Sequence, residues 1–254
     1  MRPHVYYLRE TMVPPETVRG RRVLDFSAGL GDLSAYMASA GAQSITATRP
    51  EGDVPDDDPP INWVGDVTAS NIRQRLSGAE FDLATARMVF QFPIWEDHGA
   101  DPDTMASQMR DLLVVGGHLV IAVHEFVPDR VVAEGGMRRI VDYLGLPPRE
   151  GPLGETGYGL KVPMLVTSLV RSGFAVEHAD HPEPFTFPVD TAGMTRAQLV
   201  ARGDRILEVK RRHLVDRRGS DYERPGVVRE MLEELADLMT FVAWPIVRVV
   251  ATAV

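Results

Sequence analysis

The stretch RRVLDFSAGLGDLSAYMASAGAQSITAT, from Arg21 to Thr48, constrains the fold of this chain more than any other. RRVLDF reads as a strand and SAGLG as a glycine turn. LGDLSAYMASAG is a helical pattern closed at Gly41, with Leu33, Tyr36, Met37 and Ala40 on one face. SITAT is a second strand-like run. A strand that turns on glycine into a helix and returns as a strand builds a parallel sheet. The glycines let backbone approach a ligand without a Cβ clash. The helix beginning near Leu30 points its free N–H groups into the same crevice.

The alternation continues downstream. INWVGD reads as a third strand, NIRQRLS as a short helix and FDLATAR as a fourth strand. DTMASQMRDLL is a helix with Met105, Met109 and Leu112 facing inward; Gly116-Gly117 then leads to a fifth strand, HLVIAVHEF. Residues 128–161, rich in Gly and Pro, read as an irregular excursion. KVPMLVTSLVRSG is a helix ending at Gly173 before a sixth strand, FAVEHAD. Two helical patterns follow, Thr195 to Leu214 and Pro225 to Met239, and WPIVRVVATAV closes the chain as a strand. The predicted fold class is α/β: a seven-stranded, mostly parallel sheet with an antiparallel last strand and helices on both faces. A helical lid is inserted before that last strand. Residues 1–254 form one domain, and the insertions at 128–161 and 184–238 build the substrate pocket and lid. They lie over the C-terminal sheet edge, where open α/β sheets bind ligands.

Charge and composition narrow the partners. The formal balance is 27 − 36 = −9, so no phosphate backbone or anionic membrane is favoured, and no nucleic-acid or membrane partner is expected. The chain has no cysteine, which removes disulfides, thiolate nucleophiles and cysteine-type zinc sites. MRPHVYYLRE lacks the apolar run of a signal peptide, and no apolar stretch nears the roughly 18 residues of a membrane span. These features predict a soluble, cytoplasmic monomer or homodimer with a small-molecule substrate.

Several motifs stand in a family order. Asp25, Ser27, Gly29 and Gly31 occupy the places of D-x-G-x-G-x-G at the end of the first strand. Gly65-Asp66 follows the third strand, FDLATARMVFQF spans the fourth, and Gly116-Gly117 precedes the fifth. In these features, over nearly its whole length, the chain resembles the class I (Rossmann-like) S-adenosylmethionine-dependent methyltransferases. The resemblance implies S-adenosyl-L-methionine as cofactor, with the turn Ser27, Ala28, Gly29 and Gly31 holding its methionine part and Asp25 near its ammonium. It further implies Asp66 on the adenine amino group, Val67 against the ring, and Arg87 and Met88 beside the cofactor. Tyr7, ahead of the first strand, joins the same set. A dinucleotide-binding turn would need a third glycine at Ser34. Each residue also has a plainer reading: a helix-cap acid for Asp66, a surface charge for Arg87, a helix stop for Gly116-Gly117.

Two positions depart from the family. Ser27 replaces the first glycine of the turn, and its few extra atoms are expected to be tolerated. Arg49 stands where the family has the acid that serves the ribose. A guanidinium is donor-only and cannot accept from a cis-diol. Glu51 or Asp53 could take the ribose; Arg49 could donate while a backbone carbonyl accepts; or the pocket has left its ancestral ligand.

Methyl transfer from a sulfonium needs mainly alignment, with a base where the acceptor must lose a proton. His124, with Glu125 beside it, and His98, with Asp97 to orient it, are the candidate catalytic residues; the plainer reading of each histidine is a solvated loop residue. PIWEDHG lacks the Asn-Pro-Pro-aromatic motif of amide- and adenine-methylating relatives. His178 and His181 in HADHPEP have no fixed helical spacing, so they are read as structural and no metal site is expected. The leading reading is a methyltransferase acting on a small molecule in secondary metabolism. The alternatives are an enzyme of the same fold that transfers no methyl, such as a cyclase or another user of the sulfonium cofactor, and a catalytically silent binding protein.

Overall fold

Alternate residues of the first strand enter different cores. In β1 (Arg22–Phe26), Val23 packs on one face of the sheet, and Leu24 and Phe26 on the other. Both faces of this strand are covered, and Asp25 is its one buried charged residue. The structure, a computed structural model, describes residues 12–28, 31–50, 61–87, 89–90, 102–134, 148–150, 154–181, 185–188, 241–244 and 246–254. One core forms where α1 (Pro15–Val18) and α2 (Asp32–Ser39) meet the sheet: Val18, Leu33 and Met37 pack with Ile45 and Ala47 of β2 (Ser44–Thr48). The opposite core gathers Met105, Met109 and Leu112 of α4 (Pro102–Leu112) and Leu165 and Leu169 of α6 (Val162–Arg171).

The remaining strands of the main sheet are β3 (Ile61–Val64), β4 (Phe81–Arg87), β5 (Leu113–His124), β9 (Phe174–Asp180) and β12 (Ile246–Ala253). Their order is β3-β2-β1-β4-β5-β12-β9, seven strands in all. The β2–β3, β1–β2, β1–β4 and β4–β5 ladders are parallel. The last strand, β12, lies between β5 and β9 and is antiparallel to both, pairing Ile246 with His124 and Arg248 with Asp180. The Arg248 guanidinium donates to both Asp180 carboxylate oxygens, and this partner holds Asp180 below the usual carboxylate range. The predicted seven-stranded α/β sheet is therefore the observed one.

Details differ from the sequence reading. The third strand stops at Val64, and the predicted helix over NIRQRLS is the single turn α3 (Ile72–Arg75). The fifth strand begins at Leu113, ahead of Gly116-Gly117. Phe81 pairs with Leu113 and Leu83 with His118, so two steps on β4 (83 − 81) oppose five on β5 (118 − 113). Gly116 takes φ +80° there, so the glycine pair forms a bulge inside a strand.

The described parts of the excursion at 128–161 carry more regular structure than their composition predicts. β6 (Val127–Pro128), β7 (Arg149–Glu150) and β8 (Thr156–Tyr158) form an antiparallel sheet in the order β6-β8-β7, and α5 (Asp129–Glu134) follows β6. Gly159 makes the close approach to β5 possible, since a Cβ there would lie 2.3 Å from the Glu125 carbonyl oxygen. The predicted last strand is also divided. Phe241–Trp244 form β11, which pairs antiparallel with β10 (Phe185–Pro188), and β12 starts at Ile246. Pro245 between them has no N–H to give either ladder. The two helical patterns at 195–214 and 225–239 lie outside the described residues. No described helix is long and apolar enough to cross a membrane.

Candidate functional site

Parallel order brings the C-terminal ends of β1 to β5 to one edge of the sheet. The winding reverses between β1 and β4, because β2 lies on one side of this pair and β5 on the other. Such a reversal opens a crevice at that edge. Ser27 follows β1, Arg49 follows β2, Gly65-Asp66 follow β3, Arg87 ends β4 and His124 ends β5. Residues picked from five separate stretches of sequence therefore share one edge.

The turn after β1 is held from β2. The Ser27 N–H donates to Thr48 Oγ1 at 2.9 Å, and the Ala28 N–H to the Thr48 carbonyl at 2.9 Å. Ser27 takes φ +58°, a left-handed backbone that favours glycine. The departure at this position thus costs backbone strain rather than space. Gly31, at φ +83°, caps α2, and a Cβ on it would lie 2.7 Å from the Trp63 ring. Only glycine leaves room for that indole.

Asp25 is buried beneath the turn, on the α2 face of the sheet. Its Oδ2 accepts from Ser34 Oγ at 2.5 Å and its Oδ1 from Thr85 Oγ1 at 3.0 Å. A buried carboxylate needs such donors, and here they come from α2 and β4. In this arrangement Asp25 ties β1, β4 and α2 together directly below the turn. Neither Ser34 nor Thr85 has a sequence signal that marks it, since each is a small polar residue in an apolar stretch.

Arg49 lies over Trp63, its Cζ 4.9 Å from the ring centroid. Burial pushes the guanidinium below its ordinary pKa. The aromatic face offsets part of that desolvation. The Arg49 backbone is also engaged, its N–H donating to the Val64 carbonyl and its carbonyl accepting from the Val67 N–H. Asp66 takes φ +55°, and its carboxylate is exposed, 4.0 Å from Arg75. Asn71 braces this loop from both sides: Nδ2 donates to the Asp66 carbonyl and Oδ1 accepts from the Thr68 N–H. Val67 is fully buried in the core on the α4 and α6 side of the sheet. Arg87 is partly buried at the end of β4.

His124 is not the open residue that its place at a strand end suggests. It is 2% exposed, and burial pushes its pKa down to about 3. A neutral imidazole of that pKa is a poor base near pH 7. The neighbouring Glu125 faces outward instead, and its Oε2 lies 2.8 Å from His181 Nε2. Tyr7, Gly29, Met88 and His98 lie outside the described residues, as do Glu51 and Asp53. Among the described residues, no three His, Asp or Glu side chains converge to hold a metal ion.

The sequence matches no family model and no curated protein. Solved structures do match. The S-adenosylmethionine-dependent methyltransferase of Mesorhizobium loti aligns with a TM-score of 0.50 at 17% identity, covering 96% of this chain and 94% of that one. The chain has the class I methyltransferase fold. A methyltransferase from Methanosarcina mazei is similar at a TM-score of 0.51 and 13% identity, with 98% of each chain covered. The (4+2)-cyclase SpnF is also similar, at a TM-score of 0.51 and 15% identity over 97% of this chain and 79% of that one.

Proposed function

We propose that this chain is an S-adenosyl-L-methionine-dependent methyltransferase acting on a small molecule of secondary metabolism. One observation carries the reading: the turn with Ser27, Ala28 and Gly31, the loop with Asp66, and Arg49 and Arg87 meet at a single sheet edge that flanks a winding reversal. The donor chemistry fits the cofactor at two of three places. The turn offers backbone held open by a glycine, and Asp66 offers an exposed carboxylate for the adenine amino group. The ribose place departs, because Arg49 can only donate.

When bound, the cofactor supplies a methyl group already activated on a sulfonium. The protein's contribution is alignment. The turn positions the methionine end through Thr48, Asp25 holds the turn to β4 and α2, and Asp66 orients the base. The insertions at 128–161 and 184–238 build the acceptor pocket and lid, and the cofactor set includes Tyr7, Gly29 and Met88. The negative balance of the chain disfavours a nucleic-acid acceptor. A second reading, an enzyme of this fold that transfers no methyl, draws on the placement of Arg49 over Trp63.

Titration calorimetry with S-adenosylhomocysteine tests the reading, followed by mass analysis of products from a panel of phenols, alcohols and amines. Binding with a methylated product is expected. Binding with an unmethylated but rearranged product would favour the second reading, and no binding would overturn both.

A further inference from the structure

Arg49 is the residue of the crevice that the methyltransferase reading leaves without a task. In doubly wound sheets the side chain about twenty residues past the glycine turn meets the ribose of a bound nucleotide. An acid there accepts from a free hydroxyl, and an arginine there pairs with a phosphate carried on that hydroxyl. The structure fixes where this cation sits. Its Cζ lies 4.9 Å from the centre of the Trp63 ring, and a Cβ on Gly31 would lie 2.7 Å from the same ring. One indole therefore packs on both the turn and the guanidinium, which sets the charge beside the turn. The Arg49 backbone is anchored as well, through Val64 and Val67. Burial has removed part of the hydration of the guanidinium. A partly dehydrated cation gains most from an anion.

We propose that the crevice also takes an adenosine ligand carrying a phosphate on its 2′ or 3′ ribose hydroxyl, and that Arg49 selects it. The proposal goes beyond the methyltransferase reading, because such a ligand competes with S-adenosyl-L-methionine for one crevice. A guanidinium presents a planar fork of donors that matches two phosphate oxygens at once, whereas a hydroxyl accepts through a single oxygen. The two ribose hydroxyls are vicinal, so a phosphate on either falls to the same cation. The adenine end keeps the partner already described, the exposed carboxylate of Asp66. Asp66 is the one acid of residues 65–71. Arg75 lies 4.0 Å from that carboxylate and donates to the Gly65 carbonyl at 2.7 Å. A cation therefore offsets the charge that this loop would set against a phosphate.

Titration calorimetry on the full chain with adenosine and its 2′-, 3′- and 5′-monophosphates tests the proposal. The 2′- or the 3′-phosphate should bind about tenfold or more tightly than adenosine, the yield of one charge-assisted contact. The tighter of the two identifies the hydroxyl that carries the phosphate. The 5′-phosphate should show no such gain. Arg49→Gln should abolish the gain, and Arg49→Lys, which keeps the charge without the fork, should retain part of it. Circular dichroism checks that both variants fold, and the wild-type comparison stands without them. Failure of both phosphates to bind more tightly than adenosine overturns the proposal and puts an acceptor such as Glu51 or Asp53 at the ribose. A gain shared by the 5′-phosphate, or one that survives Arg49→Gln, overturns it too. So does S-adenosylhomocysteine that binds without displacing the phosphate. S-Adenosylhomocysteine binding without the gain leaves the methyltransferase reading standing and the proposal fallen; the gain without S-adenosylhomocysteine binding does the reverse.

Discussion

Gly31 and Arg49 both lie against the Trp63 indole, and each can be tested separately. Gly31→Ala should destabilise the chain by about 2 kcal/mol or more, because the residue sits at φ +83° and its Cβ would lie 2.7 Å from Trp63. Gly20→Ala supplies the control: φ is +72°, with nothing within 4 Å of the added carbon, so only the backbone cost remains. Urea unfolding of both variants isolates the indole contact, and equal losses would mean that Trp63 does not press on the turn. Arg49→Asp removes the stacked cation, which is worth about 0.5–2 kcal/mol, and places an acceptor at the ribose position. A small loss of stability with unchanged or tighter S-adenosylhomocysteine binding is expected. A tenfold loss of affinity in calorimetry, about 1.4 kcal/mol, would instead put the guanidinium on the ligand.

The end of β5 is where an element decides the chemistry of its residues. His124 and Glu125 are neighbours in sequence, yet β-strand alternation and the crossing of residues 159–160 enclose one and expose the other. Burial lowers the His124 pKa from 6.5 in the unfolded chain to about 3 in the fold. The folded state therefore refuses a proton that the unfolded state accepts below pH 6.5. The sign follows: full stability above pH 6.5, lost as pH falls toward 3, at up to about 1.4 kcal/mol per pH unit. Asp82 and Asp180, held low by Arg22 and Arg248, lose their own stabilisation only at lower pH. Urea unfolding between pH 6.5 and 4.5 should thus show a slope that His124→Leu flattens. An identical slope in the variant would mean that the imidazole is protonated in the folded protein.

At the scale of the whole molecule, the insertion before β12 is joined to the sheet through the β10–β11 ladder, whose end pairs Pro188 with Phe241. Register partners at a ladder end can be joined by a tight turn. Replacing residues 189–240 with a short Asn-Gly-containing turn should leave a cooperatively folding sheet that still binds S-adenosylhomocysteine but turns over no acceptor. Circular dichroism, urea unfolding and calorimetry read this directly. Loss of cooperative unfolding would make the insertion part of the core, and retained turnover would remove it from the acceptor pocket.

Local pattern alone determined the sheet. Short stretches rich in Val, Ile, Leu, Phe, Ala and Thr mark β1, β2, β4 and β12, where most residues are buried, whereas β9 lies at the sheet edge with most of its residues exposed or partly so. The glycine turn was legible because backbone that turns sharply tolerates few side chains, whereas Asp66 was reached only through the family resemblance. Partnership between distant segments was not legible. That Ser34 and Thr85 hold Asp25, that Trp63 fills the space Gly31 leaves, and that His181 rather than His124 is the accessible imidazole all depend on contacts between separate elements. Arg49 shows the division most plainly: the sequence shows a donor where the family has an acceptor, and only the tertiary structure lays it on an indole from β3. A side chain's type is written in its own position, whereas its exposure and its partner are set by strands and helices that other stretches of chain supply.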